Sequence, residues 1–410
     1  MGADVPLINR LILISMLLCG VHFFGLYHKL SNNLYDLIDL YFFGVAFILM
    51  VKYFTDGRKY YIPRSEMIFS KPLLFLFLCL FLSSLSGYAY HGQSPLLALL
   101  AMRYFAYFLV YYLLVMLEVK KEDLIKLVLV FSVFYMFVFS LQLLLFPMAI
   151  VPLGHAEDFD RGFLRLRLEG VGFILLAGFY CLNAYLVDKK KLTHLVFYFL
   201  CFLFVYILGF RTLPATFLVA SIMLVSIYSG TLLKNIVFMF CFLFFCYLGL
   251  QVDSVNMFFS DMLELTESQL DKGEDYIRFL TFNFLFVEVN GGVGSIIFGN
   301  GMPFDGTEYG NLVLGVGAKM FGFISADLGL IGFIFNFGLL SLLAFLNIFR
   351  IAIFKRLSKD NVYLSVFFLY LVISSITTSE IYRAGMFVVE AVGFYLITQA
   401  CYEKNKLESV

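Results

Sequence analysis

The sequence predicts an all-α, polytopic integral membrane protein of about twelve transmembrane helices, with one large extracytoplasmic loop before the last three. Three observations predict it. Of the 410 residues, 62% are hydrophobic and only 14% charged, and the mean hydropathy is +0.92; soluble domains carry about a quarter of their residues as charges. Apolar runs recur at roughly the 17–25 residues that a helix needs to cross the hydrocarbon core, and twelve can be counted. One long segment, 251–322, is too polar and too rich in glycine to be a span.

Taken in order, the runs cover about 8–26, 34–53, 72–90, 96–117, 124–150, 171–187, 192–210, 212–229, 232–250, 323–348, 361–379 and 385–402. The whole chain, 1–410, reads as a single transmembrane domain, with the loop 251–322 inserted between helices 9 and 10. The first run begins at Leu7, has no convincing small-residue cleavage site and leads directly into further spans, so it is expected to remain as the first helix. With the N-terminus in the cytoplasm, the inner loops hold 19 Lys and Arg and the outer side nine, with Arg103 inside a span. This bias predicts that both termini are cytoplasmic and the long loop is outside.

The two basic residue types divide unequally. Inside, lysine outnumbers arginine 14 to 5; outside and within the membrane, arginine outnumbers lysine 7 to 3. Arginine offers a planar fork suited to phosphate or carboxylate, so the outer face is expected to bind an anion. Against this stands the plainer reading that single arginines snorkel to lipid headgroups. The candidates are Arg161, Arg165 and Arg167 in the loop after the fifth run, Arg211 in the tight turn Phe210–Pro214, and Arg278 on an aromatic-rich helix expected over 275–288. Arg103 lies about two turns below the outer end of the fourth run, where a charge is costly unless paired or hydrated. It reads either as lining an outward-opening polar cavity or as one half of a buried pair with Asp36 or Asp39.

The large loop contains a glycine field. Nine of the chain's 31 glycines fall within 291–317, which suits sharp turns and close backbone approach. The apolar run 295–298 and the aromatics favour a packed loop over a floppy connector.

Other chemistry is thin. The seven cysteines lie in apolar runs without ligand-like pairing, the five histidines lack metal-ligand spacing, and there is no phosphate-cradling Gly-x-x-x-x-Gly-Lys motif. No metal, cofactor or nucleic-acid partner is expected, an ATP-driven pump is excluded, and each histidine reads as a loop or packing residue.

The twelve runs with a large outer loop before the last three, the turn Phe210-Arg211-Thr212, the loop arginine Arg278 followed by the run 297–302 (Ile-Phe-Gly-Asn-Gly-Met), and then 326–333 (Ala-Asp-Leu-Gly-Leu-Ile-Gly-Phe) resemble the bacterial O-antigen polymerase and ligase superfamily, closest to its Wzy-type polysaccharide polymerases. An arginine-x10-glycine spacing associated with some of these polymerases occurs from Arg161 to Gly172, and it is absent after Arg278, where position 289 is Val. Ligases of the superfamily commonly carry a histidine on the large loop; 251–331 has none here, which favours a polymerase.

The resemblance implies an enzyme of the bacterial inner membrane that joins lipid-linked repeat units into O-antigen, capsular or exopolysaccharide. Donor and acceptor would be undecaprenyl-diphosphate-linked glycans, and a chain-length regulator would be the protein partner. The diphosphate leaving group would meet Arg278, Arg211, Arg103, Arg161 and Arg165. A general base for the acceptor hydroxyl is expected among the outer carboxylates, with Glu169 and Glu288 chosen for their nearness to a span. Two alternatives stay open: a ligase-like transferase, and a lipid-linked oligosaccharide flippase or other transporter. Internal repeats and short loops, usual in transporters, are missing from the sequence.

Overall fold

The computed structural model describes residues 7–26, 33–55, 61–146, 148, 150–151, 168–188, 192–210, 212–229 and 276–408. Every regular element among them is helical. In the first half these are α1 (Leu7–Gly20), α2 (Asn33–Thr55), α3 (Ser70–His91), α4 (Pro95–Ala101), α5 (Val110–Met116), α6 (Lys121–Leu145), α7 (Val171–Val187), α8 (Leu192–Ile207) and α9 (Thr212–Ser229). In the second half they are α10 (Ile277–Asn283), α11 (Val293–Phe298), the single turn α12 (Glu308–Gly310), α13 (Leu330–Phe354), α14 (Val362–Ser374) and α15 (Met386–Glu408).

Among the described residues, α3, α6 and α13 are long and apolar enough to cross a membrane. A fourth span results if α4 and the helical residues Arg103–Met116 are taken as one bent unit; α1, α7, α8 and α9 are apolar but shorter. Their outward faces carry large apolar side chains, such as Leu144 at 82% exposure, Leu74 at 69% and Phe137 at 60%. Apolar surface on this scale calls for a non-aqueous cover, and the chain is a membrane-associated helical protein.

The centre of the bundle is α15. All of Met386–Cys401 is buried, as expected for a helix enclosed on every side. Phe394 stacks on Phe69 and Phe368 with ring centroids 4.5 and 4.9 Å apart, and Phe387 meets Phe105 at 4.5 Å and Phe108 at 5.1 Å.

Three expected spans are interrupted. The fourth, over 96–117, is bent by 64° at Met102; α4 begins in the ordinary way, with Pro95 in its first turn after Ser94, and a 3-10 stretch, Arg103–Leu109, follows the bend. The first run ends early as helix, at Gly20, and is followed by a tight turn His22–Gly25. The tenth is displaced to Leu330–Phe354 and broken at Gly338, whose φ is 84°. There the strand of chain after α11 crosses the helix, and a Cβ on Gly338 would lie 2.4 Å from the backbone of Ile297 and Gly299. The expected ninth span, 232–250, and the loop residues 251–275 lie outside the described residues.

The glycine-rich segment is tightly built from 290 to 310. Asn300 donates Nδ2–H to Asn290 (3.2 Å) and to the Phe335 carbonyl (3.0 Å), and its Oδ1 meets His91 Nε2 at 2.8 Å. Gln93 holds the next turn through Met302 O, Phe304 N and Thr307 Oγ1, at 2.7, 2.9 and 3.0 Å. Thr307 in turn caps the single turn α12, accepting from Gly310 N at 2.9 Å.

Candidate functional site

A charged cluster forms where the C-terminal end of α1, the first turns of α2, the bend after α4, and the residues preceding α7 and α15 meet. Its base is Asp39, 3% exposed. Buried carboxylates need partners, and Asp39 has three. Arg103 Nε donates to its Oδ2 at 2.5 Å, Tyr107 donates its hydroxyl to Oδ1 at 2.6 Å, and His22 Nε2 lies 3.5 Å from Oδ1.

Arg103 is thereby explained. Its Nη2 also reaches Asp36 Oδ1 (3.4 Å), its Nη1 donates to the Leu100 carbonyl near the end of α4 (3.3 Å), and its guanidinium lies 5.4 Å from the Tyr104 ring centre. The bend at Met102 lets an arginine in an apolar run reach two carboxylates on α2. Arg103 is thus held as the paired residue that the sequence allowed. Only Asp36, with a side chain 77% exposed, is a partner that an incoming anion could displace.

His22 is 1% exposed and extends the cluster to Glu169, which it contacts through Nδ1. Tyr104 and Tyr107 flank the imidazole edge-on, with centroids 5.8 and 5.9 Å away. The backbone places it there at a cost. His22, Phe23 and Phe24 have φ of 43°, 49° and 57°, and left-handed geometry costs non-glycine residues roughly 1–2 kcal/mol each. Consecutive strained residues require over-determining surroundings and point to a functional position.

Those surroundings are visible in Phe24, fully buried against Phe131, Phe134 and Tyr135. Gly170 accepts this packing at φ 97°, where a Cβ would come 2.8 Å from the Phe24 ring.

Glu169 is the cluster's partly open member, its side chain 25% exposed. Its other charged neighbour is Arg383, which pairs with the buried Glu380 at 3.2 Å and lies in electrostatic reach of Glu169 and Tyr135. Burial works against the Arg383 charge, but Glu380 more than offsets it and the guanidinium pKa is raised. An apolar groove of about 310 Å³ between α1 and α2, lined by Ser15, Cys19, Phe23, Leu37, Ile38 and Tyr41, opens beside the cluster.

Of the residues singled out from sequence, Glu169, Arg103 and the two aspartates Asp36 and Asp39 are brought into this one network. Arg278 is half-buried on α10 and Glu288 is exposed on the π-helical turn Phe284–Val289; among the described residues no hydrogen bond or ion pair joins either to the cluster. Arg161, Arg165, Arg167 and Arg211 lie outside the described residues. Sequence reasoning missed His22, Tyr107 and Arg383 as members. His22 carried one legible signal, an ionisable ring inside the first apolar run two residues after a glycine, and Arg383 was visible as an outer arginine between the last two runs. No group of three or more His, Cys, Asp or Glu among the described residues is arranged to hold a metal ion.

Chemically the cluster offers a partly open carboxylate, a buried imidazole that can donate to it, and guanidinium groups close by. Such a set can accept a proton from a hydroxyl and stabilise nearby negative charge. Comparison with family models, with curated proteins and with solved structures finds no match to this chain.

Proposed function

We propose that the protein is a membrane glycosyltransferase that polymerises lipid-diphosphate-linked oligosaccharide repeat units at the outer face of the bacterial inner membrane, with about twelve spans and both termini in the cytoplasm. The observation that carries the reading is Glu169, a partly exposed carboxylate locked by His22 into the same network as Arg103. A transferase of this kind needs a base for the acceptor hydroxyl and cations for a departing diphosphate, and the cluster supplies both types of group. The neighbouring apolar groove suits a substrate that carries a lipid tail.

In this reading Glu169 takes the acceptor proton, with Glu288 as the competing candidate. Arg278 and Arg211, helped by Arg161, Arg165 and the Asp36-facing edge of Arg103, bind the diphosphate. The donor and acceptor are glycans on undecaprenyl diphosphate, and no metal or cofactor takes part.

The test is elongation by the purified protein in lipid nanodiscs, supplied with a lipid-diphosphate-linked repeat unit. Wild type is expected to lengthen the glycan, whereas Glu169→Gln and Arg278→Lys leave the single unit on its lipid. An ammonium cannot reproduce the planar fork, so lysine is the informative replacement. Movement of lipid between leaflets without any lengthening would replace this reading with transport, and transfer only to a non-glycan acceptor would replace it with a ligase.

A further inference from the structure

We propose that His22 is the positioning residue for Glu169, carrying a proton on both ring nitrogens so that it bridges Asp39 and Glu169 and holds the latter as an aimed carboxylate. This rests on the glycosyltransferase reading above and adds to it a residue that the charge pattern of the sequence does not single out.

The geometry carries it in three ways. The imidazole is 1% exposed and stands between two carboxylates, with Nε2 toward Asp39 and Nδ1 on Glu169. A neutral ring has one N–H and could turn a proton to only one of them, whereas the charged ring presents an N–H to each. The pairing of charges points the same way. Facing His22 are Asp39 on α2, Glu169 before α7, and Tyr104 and Tyr107 after the bend, with Arg103 behind Asp39. Arg103 pairs with Asp39, Arg383 with Glu380, and among the described residues the cation in direct contact with Glu169 is His22. Lastly, the left-handed run 22–24 is spent on reaching this position: a helical continuation past Gly20 would be less strained and would carry the ring elsewhere.

The step is a glycosyl transfer. The acceptor O–H breaks and its proton goes to Glu169, the oxygen forms the bond to the anomeric carbon, and the bond from that carbon to the lipid diphosphate breaks with its electron pair leaving on the diphosphate. His22 keeps its proton throughout and touches no reacting atom, which makes it a positioning residue. With it in place the Glu169 carboxylate has one orientation, and without it the carboxyl is free to rotate toward Arg383.

The experiment uses His22→Asn and His22→Leu in nanodiscs. Asparagine tolerates the left-handed region and keeps an N–H near the position of Nδ1; leucine keeps neither. His22→Asn is expected to hold kcat within about threefold of wild type, and His22→Leu to lose ten- to a hundredfold in kcat with KM changed less than twofold. His22→Leu combined with Glu169→Gln should be no slower than Glu169→Gln alone. Wild-type kcat in His22→Leu, equal loss in both single variants, or multiplying losses in the double variant would each overturn the proposal.

A second arm needs no substrate. In histidine-labelled protein, with His22 assigned from the Asn variant, nitrogen NMR should show both ring nitrogens protonated and the Nδ1 signal moving on Glu169→Gln. A neutral ring, or an Nδ1 signal indifferent to Glu169→Gln, overturns it. Absence of elongation by wild type would instead count against the enzymatic reading, which keeps the two failures apart.

Discussion

At the residue scale the clearest consequence concerns the buried pair. Asp39 keeps Tyr107 and His22 when Arg103 is removed, but its charge loses its closest cation at a site only 3% exposed. Breaking one side of such a pair costs about 3–5 kcal/mol, whereas replacing both sides is often neutral. Arg103→Leu is therefore expected to lower the melting temperature of the purified protein and its level in the membrane. Arg103→Leu with Asp39→Leu should recover most of that stability without recovering activity. Equal melting temperatures for wild type and Arg103→Leu would mean that the pair contributes nothing to the fold. The Gly170 backbone makes a second prediction. Alanine there must adopt φ 97° and push the buried Phe24 ring from 2.8 Å, so Gly170→Ala should destabilise by about 1–2 kcal/mol from backbone strain alone. Thermal unfolding in detergent measures this, and unchanged stability would show that the turn at His22–Phe24 relaxes freely.

At the scale of elements, the interrupted helices separate what was legible in the sequence from what was not. Helices α3, α6, α7 and α8 lie within or close to their expected runs because unbroken apolar composition of the right length has no other stable form in a membrane. The break at Met102 was not legible, since 96–117 contains neither Pro nor Gly after Pro95 to announce it. Its cause is tertiary: Arg103 must meet Asp39 and Asp36, which lie more than sixty residues away in sequence. The Arg103 pairing itself was one of two readings available beforehand, because two aspartates one turn apart are a recognisable partner. The place of His22 was hidden, as nothing in a lone histidine gives the direction of its backbone. The Gly338 break was half-visible in the glycine content around it, and it carries the third prediction. A Cβ there meets the backbone of the segment crossing α13, with no flexible side chain able to yield. Gly338→Ala should cost about 1–3 kcal/mol or more, as overpacking does, and should raise hydrogen exchange at residues 290–302, which Asn300 and Gln93 otherwise hold. Unchanged exchange over that segment would mean that the crossing is loose.

For the whole molecule, the alternating helix directions and the contacts between loops sort the charges to two ends. At one end Tyr61 N donates to Glu118 Oε1 (3.0 Å), the Tyr61 and Tyr402 rings meet at 5.4 Å, and Asn183 reaches the Asp360 carbonyl at 3.1 Å. The loops and helix ends gathered there bring Lys71, Lys120, Lys121, Lys355, Lys359 and Lys404 together. At the other end lie His22, Asp39, Arg103, Glu169 and Arg383, and nearby the Asn300 turn and the start of α13, where Tyr382 donates its hydroxyl to the Gly329 carbonyl at 3.0 Å. Basic loops stay on the cytoplasmic side, so the lysine-bearing end is expected inside and the arginine–carboxylate end outside. Single cysteines test this in a background lacking all seven native ones. Asp305, with a side chain 75% exposed, marks the outer end, and Lys404, 48% exposed, marks the inner. In intact spheroplasts Asp305→Cys should react with an impermeant thiol reagent and Lys404→Cys should react only after permeabilisation. The reverse pattern would turn the molecule over in the membrane. The charged cluster would then face the cytoplasm, and the proposed assembly at the outer face of the membrane would fall with the topology.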